Sequence, residues 1–314
     1  MDFSLIEDIK RNVNQVIVGK QGVIELVLTA ILAEGHVLVE DLPGSGKTLL
    51  AKAVARSIGG TFNRIQFTPD LLPSDITGFQ FFDMKTGQFH FKRGPVMANV
   101  LLADEINRTI PRTQSSLLES MAEFQITVDN QTIPLPKPFF VIATQNPLDM
   151  EGTYPLPEAQ LDRFLFKISM GYPDPQEELQ ILERFQKDDP LQRLSSAAEP
   201  QQIAEMIQEV KDIWISAELK DYLLNIIRAT RNSDLFTVGA STRAALALMR
   251  SSQAFAAVKG RDYVLPDDIK YVAPFVLCHR LRLNDRERLK GTSTAEALNG
   301  LLAKIPVPVG HPNR

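Results

Sequence analysis

Five short apolar runs divide the first half of the chain, and each has the character of a strand buried on both faces of a sheet. They lie at residues 37–39, 62–67, 100–103, 139–143 and 165–168. Between several of them, apolar residues recur every three or four positions, as they do on one face of an amphipathic helix. Strands separated by helices predict an α/β fold with a parallel five-stranded sheet and helices on both of its faces.

Two further segments of the first half alternate between apolar and polar residues and predict β-hairpins. One spans residues 78–91, with a turn at 85–87, and the other spans residues 125–135, with Asp129 and Asn130 at its middle. The first hairpin is unusually rich in aromatic residues. We expect it to pack against its own domain, and the alternative is a hairpin that projects toward partners or a central pore.

The second half of the chain lacks strand signals and predicts a helical domain. A proline-rich turn at residues 172–175 marks the boundary, which gives one domain of residues 1–171 and another of residues 172–314. Ser293 and Glu296 form a capping box ahead of the last helix. The predicted helical faces include Leu179, Leu182 and Phe185; Ile203, Met206, Ile207 and Val210; and Leu219, Tyr222, Leu223, Ile226 and Ile227.

The first apolar run leads into a glycine-rich turn with the pattern of a phosphate-binding loop. The residues of this turn are Pro43, Gly44, Ser45, Gly46, Lys47 and Thr48. The glycines let backbone N–H groups point at phosphate oxygens, and the helix that follows adds its positive end. We expect Lys47 to reach the β- and γ-phosphates and the Thr48 hydroxyl to bind Mg²⁺. Asp41 departs from the full pattern, which has glycine at that position.

Three polar side chains beyond the third and fourth apolar runs are candidates for the same site. Asp104 and Glu105 directly follow the third run, and Asn146 lies just beyond the fourth. Ligands of parallel sheets bind at the carboxyl ends of the strands. Asp104 is therefore placed to hold Mg²⁺, Glu105 to activate water, and Asn146 to hold water and a γ-phosphate oxygen. The alternative for Asn146 is a turn residue before Pro147.

Composition narrows the class of protein. The 314 residues are enough for two domains, and 44% hydrophobic with 23% charged residues is ordinary for a globular protein. The net charge of -4 disfavours a nucleic-acid-binding protein, because such proteins are more often basic. A single cysteine, Cys278, fits a reducing compartment. The acidic start is not a signal peptide, and the apolar segment at residues 23–33 is too short to span a bilayer. We expect a cytoplasmic protein without a membrane segment.

Longer motifs surround these candidates, such as Ala-Asp-Glu-Ile-Asn-Arg at residues 103–108 and Ala-Thr-Gln-Asn-Pro at residues 143–147. Together with residues 113–119, 151–164, 239–243, 260–264 and 266–268, they closely resemble the MoxR family of AAA+ ATPases. The resemblance covers nearly the whole chain. In that family, residues 103–108 and 113–119 correspond to the Walker B region, residues 143–147 to sensor 1, residues 151–164 to the arginine-finger segment and residues 239–243 to sensor 2. The two hairpins resemble the helix-2 insert and the pre-sensor-1 hairpin of the same clade.

The resemblance implies an AAA+ P-loop αβα core with a C-terminal all-α lid. Arg163 would be an arginine finger that acts in the neighbouring subunit's site, and Arg243 would contact the γ-phosphate from the lid. Val18 and Gly19 would lie beside the adenine. The implied nucleotide-binding residues are Val18, Gly19, Pro43, Gly44, Ser45, Gly46, Lys47, Thr48, Leu49, Asp104 and Arg243, and the implied catalytic residues are Lys47, Glu105, Asn146 and Arg163.

The resemblance also implies an assembly, namely a homo-oligomeric ring of six subunits that hydrolyses ATP with Mg²⁺ at its subunit interfaces. It further implies chaperone-like remodelling or maturation of a protein complex, with a von Willebrand factor A domain partner on a separate chain. Two alternatives stay open. One is a nucleic-acid-dependent motor or loader, and the other is a scaffold that binds ATP without hydrolysing it. Arg108 and Arg112 are alternative trans-acting arginines.

Overall fold

Helices and strands alternate through the first part of the chain, as the apolar pattern predicts. The computed structural model describes residues 1–41, 44–129, 131–146 and 152–308. Its elements up to residue 168 are α1 (Phe3–Asn14), α2 (Gln21–Leu32), β1 (Val37–Glu40), α3 (Lys47–Ser57), β2 (Phe62–Gln66), α4 (Pro73–Thr77), β3 (Gly78–Asp83), β4 (Gln88–Arg93), β5 (Val100–Asp104), α5 (Pro111–Glu123), β6 (Gln125–Val128), β7 (Gln131–Pro134), β8 (Phe140–Gln145), α6 (Glu158–Leu161) and β9 (Phe166–Ile168).

Five of these strands form one parallel sheet in the order β2-β5-β8-β1-β9. Side chains alternate across the sheet, so Val37 and Val39 of β1 enter one hydrophobic cluster and Leu38 enters another. Helix α3 packs in the first cluster, and α5 packs in the second. The predicted five-stranded sheet with helices on both faces is therefore confirmed.

The register of the sheet brings three strand ends to one edge. Glu40 at the end of β1 pairs with Gln145 at the end of β8, and Gln66 of β2 pairs with Asp104 of β5. The segments that follow β1, β5 and β8 therefore leave the sheet side by side. These segments carry the phosphate-loop pattern, Glu105 and Asn146 respectively.

Helices make up most of the second part of the chain, as predicted. Its elements are α7 (Pro175–Phe185), α8 (Pro190–Arg193), α9 (Pro200–Val210), α10 (Ala217–Asn232), β10 (Phe236–Val238), α11 (Thr242–Val258), α12 (Pro266–Leu277), β11 (Arg282–Leu283), α13 (Asp285–Leu289) and α14 (Thr294–Leu302). Strands β10 and β11 pair antiparallel, so a small ladder accompanies the helices where an all-α lid was expected. Among the described residues of the whole chain, no helix is long and apolar enough to cross a bilayer.

The helical part packs against the sheet part through a shared hydrophobic cluster. The apolar faces predicted for α9 and α10 are buried in this cluster, and α11 packs against both α2 and α12. Helix α7 differs, because Leu179 and Leu182 are 58% and 70% exposed and no residue of the helix is buried. The predicted helix is present there, but most of its apolar face is open.

The hairpin β3–β4 does not pack as expected. Its strands pair antiparallel from Gly78 with Arg93 to Asp83 with Gln88. Five large apolar side chains of the hairpin are nevertheless 40% or more exposed, namely Phe79, Phe81, Phe82, Met84 and Phe89. The expectation of a hairpin packed on its own domain is therefore wrong for this single chain. The second hairpin, β6–β7, does contribute Ile126 and Val128 to the core.

Candidate nucleotide-binding site

The loop between β1 and α3 has the backbone that its glycines predict. Gly44 and Gly46 have φ angles of 85° and 87°, in the left-handed region that glycine tolerates best. Gly46 directly precedes Lys47, the first residue of α3. The first N–H groups of α3 and its positive dipole end therefore lie at the loop, where they favour an anion. Leu42 and Pro43 lie outside the described residues, and so does the contact expected of Pro43.

Asp41, which stands in place of the usual glycine, anchors the phosphate loop. Its Oδ2 accepts hydrogen bonds from the backbone N–H groups of Met170 (2.8 Å) and Gly171 (2.9 Å). Both residues follow β9 and lead toward α7. The Asp41 carbonyl accepts a hydrogen bond from Lys47 Nζ at 3.2 Å. The departure from the pattern therefore ties the loop to the start of the helical part.

Asp104 ends β5 and is held by side chains from both neighbouring strands. Its Oδ1 accepts a hydrogen bond from Thr144 Oγ1 of β8 at 2.6 Å. Its Oδ2 accepts one from the Arg64 guanidinium of β2 at 2.7 Å. Thr144 also accepts a hydrogen bond from the backbone N–H of Glu105 at 2.8 Å, so one buried hydroxyl orients both acidic residues.

Glu105 leaves the strand with an uncommon backbone. Its φ angle is 57°, in the left-handed region that non-glycine residues seldom adopt. Its Oε2 accepts hydrogen bonds from Gln66 Nε2 at 2.7 Å and from Arg108 Nη1 at 3.1 Å. The carboxylate is thus held in a fixed position by β2 and by the turn that follows β5.

These predicted residues line a common cavity of about 530 Å³. Residues 44–49 of the loop line one side, and Asp104, Glu105 and Asn146 line another. The structure places these residues beside one another. The sequence prediction missed further polar lining residues, among them Arg64, Gln66, Thr144 and Gln145. The alternation of Arg64 and Gln66 near the end of β2 could have identified these two residues from the sequence.

A second cavity, of about 310 Å³, adjoins the first and is mainly apolar. It shares residues 44–46 and Leu49 with the first cavity and is lined further by Val18, Met170 and Phe185. The next residue, Gly19, has a φ angle of 74°. A Cβ at this position would lie 1.8 Å from Oε1 of Glu177 on α7, so a side chain would collide with Glu177. A polar cavity joined to an apolar one matches a nucleotide, which has a charged phosphate chain and a flat, weakly polar base.

The donor set of the first cavity fits a magnesium ion. Thr48 offers a hydroxyl and Asp104 a carboxylate, and both line the cavity beside the phosphate loop. Mg²⁺ prefers oxygen ligands and is usually held by one or two protein groups together with phosphate oxygens. Thr48 and Asp104 would supply that protein share.

Arg163 lies outside the two cavities of its own chain. Its Nη1 donates a hydrogen bond to the Leu118 carbonyl of α5 at 2.7 Å, and the side chain is half-buried. Of the two alternative arginines, Arg108 pairs with Glu105 of the same chain, and Arg112 is exposed at the start of α5.

Arg243 also lies outside both cavities. It is the second residue of α11, and its guanidinium is 61% exposed and 3.7 Å from the Asp162 carboxylate. Asp162 directly precedes Arg163, so Arg243 lies beside the segment that carries Arg163. Arg243 is thus paired with Asp162 and does not line the first cavity.

Comparison with known families agrees with this arrangement. Residues 36–166 match the ATPase family associated with various cellular activities (AAA), and residues 228–299 match the AAA lid domain. The first match contains the phosphate loop, Asp104, Glu105, Asn146 and Arg163. The second contains Arg243.

Individual relatives cover almost the whole chain. Uncharacterized protein YeaC of Bacillus subtilis is 48% identical over 298 residues, which is 95% of this chain and 93% of the relative. Chaperone MoxR1 of Mycobacterium tuberculosis is 42% identical over 306 residues, with 94% and 80% covered. A solved structure of a provisionally assigned ATPase from Cytophaga hutchinsonii is 40% identical with a TM-score of 0.91 and covers 98% of this chain and 96% of its own. The chain therefore belongs to the MoxR family of AAA+ ATPases.

Proposed function

We propose that this protein hydrolyses ATP, with Mg²⁺, at sites completed by a neighbouring subunit of a ring. The observation that carries the proposal is the first cavity, which gathers a phosphate loop, Lys47, an acidic pair and Asn146. The adjoining apolar cavity beside Val18 suits the base. Family membership supports the same reaction.

Binding rests on groups that neutralise phosphate charge. Lys47 supplies a cation, and the N–H groups at the start of α3 supply donors. In this proposal the Thr48 hydroxyl and the Asp104 carboxylate hold the magnesium ion. Held there, the ion would supply Lewis-acid stabilisation of the negative charge on the phosphate oxygens.

Glu105 is the carboxylate that orients and activates the attacking water. It faces the first cavity, and Gln66 and Arg108 hold its Oε2. One carboxylate oxygen carries both of these bonds, which leaves Oε1 to accept a proton from water. Asn146, just beyond β8, offers an amide that binds the water and a γ-phosphate oxygen in the same reaction.

Arg163 and Arg243 complete the site in this proposal. Arg163 reaches the neighbouring subunit's nucleotide and stabilises the charge of the transition state. Arg243 approaches the γ-phosphate of its own subunit when the helical part closes. The position of both guanidiniums outside the cavities of the single chain supports a site that needs a neighbour and a closure. We propose six subunits for the ring.

The cellular role is chaperone-like remodelling or maturation of a protein complex in the cytoplasm. One relative is named a chaperone, which supports this role. A partner with a von Willebrand factor A domain, on a separate chain, would direct the ring to its client. The single cysteine is compatible with the reducing cytoplasm.

The test of the proposed reaction is ATP turnover by Glu105→Gln. The amide keeps the shape of the side chain but cannot take a proton, so kcat should fall by about 10²- to 10⁴-fold. ATP binding, measured with a fluorescent nucleotide, should stay near that of the wild type. Glu123→Gln, an exposed acid-to-amide change at the end of α5, is the matched control and should leave both values unchanged.

Near wild-type turnover by Glu105→Gln would exclude Glu105 as the catalytic carboxylate. Absence of hydrolysis by the wild-type ring would contradict the reaction itself. Stimulation of turnover by DNA, lost at high salt, would instead favour the nucleic-acid motor.

A further inference from the structure

Asp162 lies between two arginines of the helical part. Its Oδ1 accepts a hydrogen bond from Arg280 Nε at 2.7 Å, and its Oδ2 is 3.7 Å from Arg243 Nη1. The Arg280 side chain is 5% exposed, whereas that of Arg243 is 61% exposed. A buried ion pair is costly to break and an exposed one is weak. Asp162 therefore has one fixed partner and one exchangeable partner.

Arg280 fixes more than the Asp162 side chain. Its guanidinium donates to the backbone carbonyls of Asp162 (3.1 Å), Phe164 (2.6 Å) and Leu165 (3.2 Å). These carbonyls bracket Arg163 on both sides. The backbone of Arg163 is thus bound to the 3₁₀ turn Cys278–Arg280 that directly follows α12.

Arg243 and Arg280 are carried by two helices that pack against each other. Helix α11 carries Arg243 near its start, and α12 leads into the turn of Arg280. The two helices pack together, with Phe255 of α11 stacked on Tyr271 of α12 at 4.6 Å between ring centroids. A motion of this pair that carries Arg243 toward a phosphate must also displace the segment that Arg280 holds.

A cleft of about 170 Å³ lies beside this network. Asp162, Ser241 and Arg280 line it, together with Glu158 on α6 and Arg282 on β11. Glu158 and Arg282 form a separate exposed ion pair at 3.7 Å across the same cleft. This second pair does not contact Arg163 or Arg243 by any hydrogen bond or ion pair recorded among the described residues.

We propose that Asp162 and Arg280 are positioning residues that couple the two active arginines of a subunit. When Arg243 leaves Asp162 for the γ-phosphate in its own site, the α11–α12 pair shifts Arg280 and with it the backbone of Arg163. The nucleotide state of one subunit thereby sets how Arg163 is presented to the next. This coupling rests on the proposed function, because it needs a ring with Arg163 acting in trans.

Rings mixed from two kinds of subunit distinguish an effect on the subunit that supplies Arg163 from an effect on the subunit that hydrolyses ATP. A subunit with Arg163→Ala keeps a hydrolytic site but offers no finger, so it is the acceptor. A subunit with Glu105→Gln offers a finger but cannot hydrolyse, so it is the donor. Asp162→Asn, which keeps an oxygen for Arg280 Nε and removes the charge, is added to the donor in one mixture and to the acceptor in another.

The coupling predicts different results for the two placements. In the donor, Asp162→Asn should lower kcat by about tenfold with KM for ATP unchanged, because a displaced finger weakens only the transition state. In the acceptor, kcat should persist and KM should fall by about threefold, because Arg243 no longer has a competing carboxylate. Glu158→Gln, the matched control from the same cleft, should change neither value in either placement.

An equal loss of kcat in both placements, or no loss in either, overturns the coupling. Thermal unfolding midpoints show whether Asp162→Asn folds. If it does not, Arg280→Lys replaces it, with the same expected asymmetry in kcat and no fall in KM, because the Asp162 carboxylate that faces Arg243 is retained. If mixtures without Asp162→Asn are active and only the asymmetry is missing, the coupling alone fails. If wild-type rings do not hydrolyse ATP, the proposed function and the coupling fail together.

Discussion

His36 is a buried histidine whose two ring nitrogens are both used by the fold. Nδ1 accepts a hydrogen bond from the Val141 N–H at 3.1 Å, so the proton is on Nε2, which donates to the Met121 carbonyl at 3.0 Å. Burial lowers the pKa of His36 to about 4. The folded protein therefore keeps this imidazole neutral at a pH where an unfolded chain would protonate it.

The stability of the protein should consequently fall in mild acid. Between pH 6.5 and about 4 the unfolded chain binds a proton at His36 that the folded chain does not, so the free energy of unfolding decreases as the pH falls. At full extent, the decrease in the free energy of unfolding that is due to His36 is about 3 kcal/mol. His36→Gln, which retains a donor and an acceptor, should flatten this pH dependence in urea denaturation measured from pH 7 to pH 4.

A control variant and a second buried histidine make this prediction specific. Thr230→Ser, at a buried position without an ionisable group, is the control and should leave the pH dependence as in the wild type. His279 is also buried, and burial lowers its pKa to about 3, so part of the slope should remain in His36→Gln. An unchanged slope in His36→Gln would show that His36 does not remain neutral in the folded state.

Single residues also show where sequence reasoning stops. Lys47, Thr48, Asp104 and Glu105 could be predicted because each belongs to a short contiguous pattern whose chemistry is read locally. The hydrogen bonds of Asp41 could not be predicted, because their donors, Met170 and Gly171, lie 129 and 130 positions further along the chain. Arg64 and Thr144 reach Asp104 from other strands, and only the strand order of the sheet reveals that.

The hairpin β3–β4 is the element whose exposure the sequence could not predict. Alternation of aromatic and polar residues identifies two paired strands, but it does not say what covers their faces. Here Phe82 and Phe89 face each other at 5.2 Å between ring centroids, while 52% and 69% of their surfaces are exposed. The hairpin therefore contributes little to the core of the single chain.

Replacement of both Phe82 and Phe89 by serine should accordingly cost less than about 1.5 kcal/mol of unfolding free energy, the worth of one aromatic pair. Phe140→Ala, in the fully covered strand β8, should cost about 3–5 kcal/mol because it leaves a cavity. Urea denaturation of both variants measures the difference. A cost for the hairpin variant as large as that for Phe140→Ala would mean that the hairpin is part of the folded core.

Length decided which elements could be predicted. The long helices and the buried strands have enough periodic positions to be recognised. Helices α4, α8 and α13 and strands β10 and β11 span only two to five residues each and carry no periodic signal. The exposed face of α7 was missed for another reason, since an apolar helical face indicates burial only when another element lies against it.

At the scale of the whole molecule, the sheet part and the helical part are joined by charge as well as by apolar packing. Glu25 of α2 is buried, and both of its carboxylate oxygens accept hydrogen bonds from Lys259 Nζ at 2.8 Å. Lys259 directly follows α11. The start of the same helix carries Arg243, so one end of α11 is held against α2 while the other lies beside Asp162.

The central claim is that each hydrolytic site combines residues of two subunits, and mixed rings test it most directly. Glu105→Gln and Arg163→Ala should each be nearly inactive alone. In an equal mixture, shown by light scattering to contain rings in the presence of ATP, about a quarter of the interfaces pair an intact Glu105 with an intact Arg163.

The measurement is the steady-state rate of ATP hydrolysis by that mixture. The account predicts a rate of about a quarter of the wild-type value, well above the sum of the two separate variants. A rate equal to that sum, in rings shown to be mixed, would contradict a site shared between subunits.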